Sequence, residues 1–255
     1  MNSMQQRRPD LVEAMDRPDC DLERLRRTYV QFGLMNRCVA GWRRVYVERV
    51  RPLILDGKIG GRAGEPLRLL DIGCGGGDVA LAFANWAKRD QLELAITAAD
   101  PDPRAFAFMQ NRSEFPASIE RVQATLGALL EQGRRFDVVI SNHVLHHLNP
   151  EELQRFRADS ERIATTLVLH NDLERARIAW VGLQLMRPVF PGSFIIPDGS
   201  LSLRRSFRQS ELATLLGPRW QVRRRWPYRL WAEFEVGSVP LREANTSPTV
   251  TESAR

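Results

Sequence analysis

Four histidines occur in this chain; His143, His146 and His147 crowd into five residues, and His170 follows with Asn171 and Asp172 directly after it. Imidazole takes up and releases a proton near neutrality, and a carboxylate on its second ring nitrogen fixes the tautomer and raises its basicity. His146 ranks first as a general base, His170 next, His143 stands beside them, and Asp172 is the carboxylate partner for His170. The competing role for Asp172 is to cap a helix starting at Leu173. A second chemical group is the run Asp71-Ile72-Gly73-Cys74-Gly75-Gly76-Gly77-Asp78. Glycines at a strand-to-helix turn let backbone N–H groups approach a ligand closely. A dinucleotide fingerprint read from Gly73 and Gly75 needs Gly or Ala at 78, where Asp78 stands and would repel a pyrophosphate. The three cysteines, Cys20, Cys38 and Cys74, form no C-x-x-C pair and have no histidine at zinc-finger spacing, so neither a disulfide framework nor a metal site is predicted.

The pattern around these groups predicts the elements that hold them. Short buried strands are expected over 67–73, 92–100, 119–124, 136–141 and 165–170, with helices over 76–90 and 103–111. Another helix, between the fourth and fifth strands, opens with Asn149 as cap, Pro150 at its first position and Glu152 three residues after the cap. Alternating strands and helices imply a parallel sheet covered on both faces, with ligands at the carboxyl ends of the strands. The glycine turn and all four histidines fall at those ends. Beyond them come an apolar helix over 173–186, a Pro/Gly-broken stretch over 188–199, a helix over 206–217 and two terminal strands within 220–237. Ahead of them, Leu25, Tyr29, Phe32, Val39, Trp42, Tyr46 and Val50 recur at helical spacing, with Gly33 and Gly41 as places for a bend. The expected architecture is α/β: a Rossmann-like, doubly wound, mainly parallel sheet of about seven strands, the last pair antiparallel, under an N-terminal helical lid. Residues 1–20 read as a loose arm, 21–241 as the domain (21–56 lid, 67–170 cofactor core, 171–241 acceptor-side helices and terminal strands) and 242–255 as a loose tail.

Three motifs in this order resemble the class I S-adenosylmethionine-dependent methyltransferases. The first is Asp71 followed by Gly73, Gly75 and Gly77; the second is Asp100 closing the second strand; the third is Phe136-Asp137-Val138-Val139 running into Leu145-His146-His147-Leu148. The resemblance spans 67–170 and implies S-adenosyl-L-methionine as cofactor. It implies that Asp71 engages the cofactor's amino group through water, that the glycines lie against its methionine and ribose portions, and that Asp100 binds the ribose hydroxyls. Cys74, Pro101 and Asn142 join this set by position. The sequence departs from the family after the third strand, where Val122-Gln123-Ala124-Thr125 offers no acid for adenine, so Thr125 or Gln123 takes that place, or adenine is held by backbone and apolar contacts. Stretches at 36–46, 170–180 and 202–212 are similar to small methyltransferases linked with bacterial aromatic polyketide pathways. Together with an apolar wall from Trp180, Leu185, Phe190, Phe194 and Ile195, they suggest a small aromatic or phenolic acceptor and O-methylation.

Composition narrows the alternatives. A 255-residue chain with 37 Lys+Arg, 31 Asp+Glu and 43% hydrophobic residues is long enough for a full α/β core and is neither fibrous nor mostly disordered. A net charge of +6 is weak for a nucleic-acid binder, and Ser141-Asn142-His143-Val144 lacks the Asn/Asp-Pro-Pro-aromatic run of amino-group nucleic-acid methyltransferases. No apolar run approaches membrane-spanning length and residues 1–10 are polar, so a cytoplasmic protein is expected. An NAD(P)-dependent oxidoreductase and a cofactor-binding protein without catalysis are the other readings.

Overall fold

The computed structural model describes residues 4–56 and 64–237; the glycines at 57, 60 and 61 and the tail at 242–255 lie outside them. Seven strands, β1 (Leu67–Ile72), β2 (Leu94–Ala99), β3 (Ile119–Val122), β4 (Phe136–Asn142), β5 (Ala164–Leu173), β6 (Gln221–Arg225) and β7 (Arg229–Glu235), form one sheet in the order β3-β2-β1-β4-β5-β7-β6. The first five strands pair in parallel and the last pair, β6 and β7, is antiparallel, as expected from the sequence; β7 also runs antiparallel to β5. The order reverses between β1 and β4, which is where a doubly wound sheet opens a crevice at its carboxyl ends.

Strand alternation divides the core into two layers. Leu67, Leu69, Val138, Ile140, Leu167 and Leu169 face Tyr46, Val79, Phe83 and Trp42 on one side, while Leu70, Ile72, Val139 and Val168 face Leu153, Leu212, Leu216 and Trp220 on the other. The first layer contains α1 (Leu22–Val39), α2 (Trp42–Val45), a five-residue π turn (Tyr46–Val50), α3 (Arg51–Asp56), α4 (Asp78–Arg89) and α5 (Pro103–Gln110). Gly33 sits inside α1 without interrupting it; the chain bends at Gly41, whose φ of 73° is the left-handed conformation that glycine adopts without strain. On the opposite side lie α6 (Leu126–Glu131), α7 (Pro150–Ile163) and α10 (Gln209–Leu216). The Asn149 carboxamide accepts from the Glu152 N–H and the Glu152 carboxylate accepts from the Asn149 N–H, a complete capping box.

Three expectations fail, each for a physical reason. The helix expected from Leu173 begins only at Arg177, as α8 (Arg177–Leu185), because β5 continues to Leu173 by pairing residue for residue with β7. Asp172 is therefore a strand residue and caps no helix. The stretch at 188–199 is broken only as far as Phe194; α9 (Ile195–Arg205) includes Pro197 and Gly199. Pro197 falls in the first turn, where its missing N–H costs nothing, and a Cβ on Gly199 would stand 3.0 Å from Leu183 of α8. The N-terminal arm, expected to be loose, is docked over the crevice as far as residue 4. Arg8 N–H donates to the Arg204 carbonyl, the Ala14 and Met15 N–H groups donate to the Asp198 carboxylate, and the Arg7 guanidinium reaches the His146, Leu148 and Arg205 carbonyls.

Candidate active site

β1 delivers its chain into the turn 73–77, and the sheet, α1, the arm, α8 and α9 enclose a cavity of about 790 Å³ above it. That size suits a nucleotide-sized ligand together with a small second molecule. Gly73, Gly75 and Gly77 all have positive φ (68°, 54° and 72°). Close protein packing adds to the need for glycine. A Cβ at Gly73 would lie 2.5 Å from Val144, and one at Gly77 would lie 2.5 Å from Phe115. Gly73, Cys74 and Gly75 line the cavity along with Asp71, Asp100, Pro101 and Asn142; Gly77 is set back as the N-cap of α4. Thr125 is not among the lining residues. Its hydroxyl accepts from the Ala128 N–H and caps α6, so the structure gives it a local task. Among the described residues, the Gln123 side chain donates to the Pro101 carbonyl, at 3.5 Å.

At the glycine end the cavity is acidic. Asp100 ties the loop together: one carboxylate oxygen accepts from the Gly75 N–H at 2.8 Å and the other from the Asp102 N–H at 2.9 Å. Asp71 accepts from the Ala80 N–H with Oδ2, while its buried Oδ1 has no hydrogen-bond partner among the described residues. Burial, reinforced for Asp71 by the neighbouring Asp78, pushes the carboxyls of Asp71, Asp78 and Asp100 above the usual range. A cationic ligand would relieve that penalty, and a pyrophosphate would add to it. The orphaned Asp71 oxygen and the acidic cradle thus fit a sulfonium- and ammonium-bearing nucleoside.

Sequence reasoning missed the residues that hold this end together from outside the motifs. Asn36 of α1 donates to Asp78 and accepts from Asn142, whose Oδ1 also receives the Trp42 indole N–H and the Arg229 guanidinium. The buried Arg229 further donates to Asn171 Oδ1 and to His143 Nε2, at 2.9 Å each. His143 sits at φ 63° with that nitrogen engaged; burial and the Arg229 charge hold its pKa well below 6.5, so it is a neutral fixture of the wall and not a base. A lone Arg in a terminal strand carries no sequence signal for this role, since the contact depends on the β5–β7 pairing.

The opposite end contains the dyad. His146 Nδ1 is 2.7 Å from Asp172 Oδ1, and the His146 N–H donates to Asp172 Oδ2 at 2.8 Å. Asp172 thus pairs with His146, not with His170 as its sequence position suggested. His170 shares a strand face with Asp172 but lies about 7 Å deeper along the strand. There its Nδ1 meets the Ser141 hydroxyl at 2.8 Å and its ring stacks on Trp220, outside the cavity lining. Burial pushes its pKa to about 3, so it serves as core. Glu13, from the arm, lies 3.4 Å from His146 Nε2 and accepts from the Ser202 hydroxyl at 2.9 Å. Burial alone would lower the His146 pKa, but Asp172 and Glu13 outweigh it and raise it to about 9.

Phe32, Met35, Val39, Leu183, Met186, Phe194 and Ile195 form the apolar wall. Trp180 and Leu185, expected there, point outward and are 41% and 76% exposed. Phe190 is buried behind the wall against Met35 and Ile195.

A seven-stranded doubly wound sheet with an antiparallel β7, a glycine turn after β1 and an acid ending β2 defines the class I methyltransferase fold. Residues 69–165 match the family model described as "Methyltransferase domain". A ubiquinone biosynthesis O-methyltransferase of Methylobacterium nodulans is 34% identical over 85 residues, which are 33% of this chain and 32% of that protein. The mitochondrial ubiquinone biosynthesis O-methyltransferase of Arabidopsis thaliana is 32% identical over 89 residues, 34% of this chain and 27% of that protein. The matched region therefore spans about a third of these relatives' length. Among solved structures, the plantazolicin methyltransferase BpumL, in complex with a triazolic desmethylPZN analogue and SAH, superposes with a TM-score of 0.55 at 13% identity, covering 84% of this chain and 98% of that one. Magnesium protoporphyrin IX methyltransferase from Synechocystis PCC 6803, with bound SAM, gives 0.51 at 18% identity, covering 84% of this chain and 90% of that one. At such identities the likeness is one of fold.

Proposed function

We propose that this chain methylates a hydroxyl of a small, flat, largely apolar acceptor, with S-adenosyl-L-methionine as donor. The observation that carries the reading is the polarity of one continuous cavity: a carboxylate-lined glycine cradle at one end, and a buried His–Asp dyad beside an apolar wall at the other. The relatives named for O-methylation in ubiquinone biosynthesis support an oxygen acceptor of that kind. S-adenosyl-L-methionine, when bound, supplies a methyl group activated by its sulfonium.

The chain's own residues have four tasks. Asp71 Oδ1 accepts from the cofactor's ammonium, directly or through water, and Asp100 accepts from the ribose hydroxyls while holding Gly75 in place. Asn142, anchored by Trp42, Asn36 and Arg229, fixes the wall between the two ends. His146 receives the acceptor's hydroxyl proton on Nε2, and Asp172 holds the ring by Nδ1. The apolar wall excludes water and aligns the acceptor for in-line displacement. Because Glu13 occupies the space before Nε2, the acceptor's hydroxyl replaces the Glu13 contact on binding; losing that carboxylate lowers the His146 pKa from about 9 and frees the ring to act as base. The localisation in keeping with this reading is cytoplasmic; no helix among the described residues is long and apolar enough to cross a membrane.

The test is turnover of labelled S-adenosyl-L-methionine against a panel of phenols and quinols, beside calorimetry with NADPH. Methylated product is the expected result; NADPH binding without S-adenosyl-L-methionine binding would move the chain to the oxidoreductases.

A further inference from the structure

Two imidazoles share one arrangement at the acceptor end. His146 Nδ1 lies 2.7 Å from Asp172 Oδ1 and His147 Nδ1 lies 3.2 Å from Asp16 Oδ2, so a carboxylate holds each ring from behind. Both remaining nitrogens turn toward the same third residue: His146 Nε2 is 3.4 Å from Glu13 Oε1, and His147 Nε2 is 3.9 Å from Glu13 Oε2. The His146 Nε2 atom is buried and has no hydrogen-bond partner among the described residues. The nearby Arg205 guanidinium stands 3.8 Å from Glu13, beyond hydrogen-bond length. All three donors face the cavity.

We propose that Glu13, His146 and His147 form a binding site for one divalent transition-metal ion, with an open coordination position on the acceptor side of the cavity. The spacing is the argument. Nitrogen and oxygen ligands about 2.1 Å from a tetrahedral ion stand about 3.4 Å apart; the two Glu13 oxygens stand 3.4 and 3.9 Å from the imidazole nitrogens they face, and one ligand atom from each of the three residues lies within 4.8 Å of the others. The carboxylates of Asp172 and Asp16 are the outer partners that orient metal-bound histidines and raise their basicity. Two imidazoles and one carboxylate favour zinc, cobalt or nickel over the all-oxygen preference of magnesium and calcium. The ion takes the place of the proton on His146 Nε2; in a loaded chain the acceptor's hydroxyl would ligate the ion at the open position, and its proton, made more acidic by the ion, would leave to water instead of to the ring. This deepens the methyltransferase reading of the cavity and rests on it for the acceptor, yet the site itself is measured without cofactor. Because Glu13 belongs to the arm and both histidines follow β4, a bound ion also ties the arm to the sheet.

The experiment is a titration of chelator-stripped, dialysed full-length chain with Co²⁺, read by visible absorption, and with Zn²⁺, read by calorimetry. One equivalent of Co²⁺ is expected to give the ligand-field bands of a four- or five-coordinate ion. Glu13→Gln and His147→Ala are each expected to weaken Zn²⁺ at least about 10-fold, and Asp172→Asn about 10- to 100-fold. His147 is half-buried, and circular dichroism spectra matching wild type are required of each variant before its metal affinity is compared. Absence of the bands, or Zn²⁺ binding unchanged in Glu13→Gln and His147→Ala, overturns the proposal. Binding of S-adenosyl-L-homocysteine to the same stripped protein separates this failure from failure of the methyltransferase reading.

Discussion

At the scale of single residues, the acceptor end is governed by how much charge surrounds His146. With Asp172 behind the ring and Glu13 before it, the imidazole stays protonated up to about pH 9 in the free chain. For a general base, kcat/KM is therefore expected to rise with pH and level off near 9. Removing one flanking carboxylate removes part of the upward shift, so Glu13→Gln is expected to move that limb to lower pH, which a pH–rate profile measures directly. His146→Ala is expected to slow turnover by about 10²- to 10⁴-fold while leaving S-adenosyl-L-homocysteine affinity near wild type. A variant with wild-type turnover returns His146 to a structural role. His170→Ala separates the two histidines that the sequence ranked first and second: its ring stacks on Trp220, so stability is expected to fall while cofactor affinity is retained. The histidine cluster was legible from residue type and spacing, and the acids at 71 and 100 through the motif resemblance that carries them. The pairing of Asp172 with His146 was not, because it depends on where the turn after β4 returns over the end of β5.

At the scale of elements, the parallel core was legible because each buried strand is a short apolar run between turn signals, and the Asn149 cap of α7 uses a side chain that accepts from the first turn. The end of β5 was not, since its partner β7 lies some sixty residues later and nothing local distinguishes an apolar strand end from a helix start. The arm misled for the opposite reason: its polar composition reads as loose, yet its backbone is held by the Asp198 carboxylate and its Arg7 by three carbonyls. Asp198→Ala leaves the Ala14 and Met15 N–H groups without that acceptor, and is expected to raise hydrogen exchange across 11–17 with little change in β1–β5. Equal protection in that segment would contradict the docking. Gly77→Ala places a methyl group 2.5 Å from Phe115 at a φ of 72°. A loss of about 1–3 kcal/mol in denaturant unfolding is expected, with the start of α4 displaced.

For the molecule as a whole, the dyad couples stability to pH. The folded His146 pKa of about 9 lies above its unfolded value near 6.5, so its contribution is complete below about 6.5 and is lost as pH rises through 9. The Asp172 carboxyl is held below its usual range, chiefly by the His146 charge acting against burial, so its contribution is present above about 4 and is lost on acidification. Stability of wild type over His146→Ala is therefore expected to be greatest between about pH 4 and 6.5 and to shrink toward pH 9, as urea midpoints across that range would record. A gap that widens with pH contradicts the assigned charge state. The central claim is that the acidic glycine cradle holds S-adenosyl-L-methionine through Asp100. Calorimetry with S-adenosyl-L-homocysteine on wild type and Asp100→Ala addresses it most directly. One-site binding that weakens by about 1–3 kcal/mol in the variant is the expected result; no binding by folded wild type, or equal affinity in both, contradicts it.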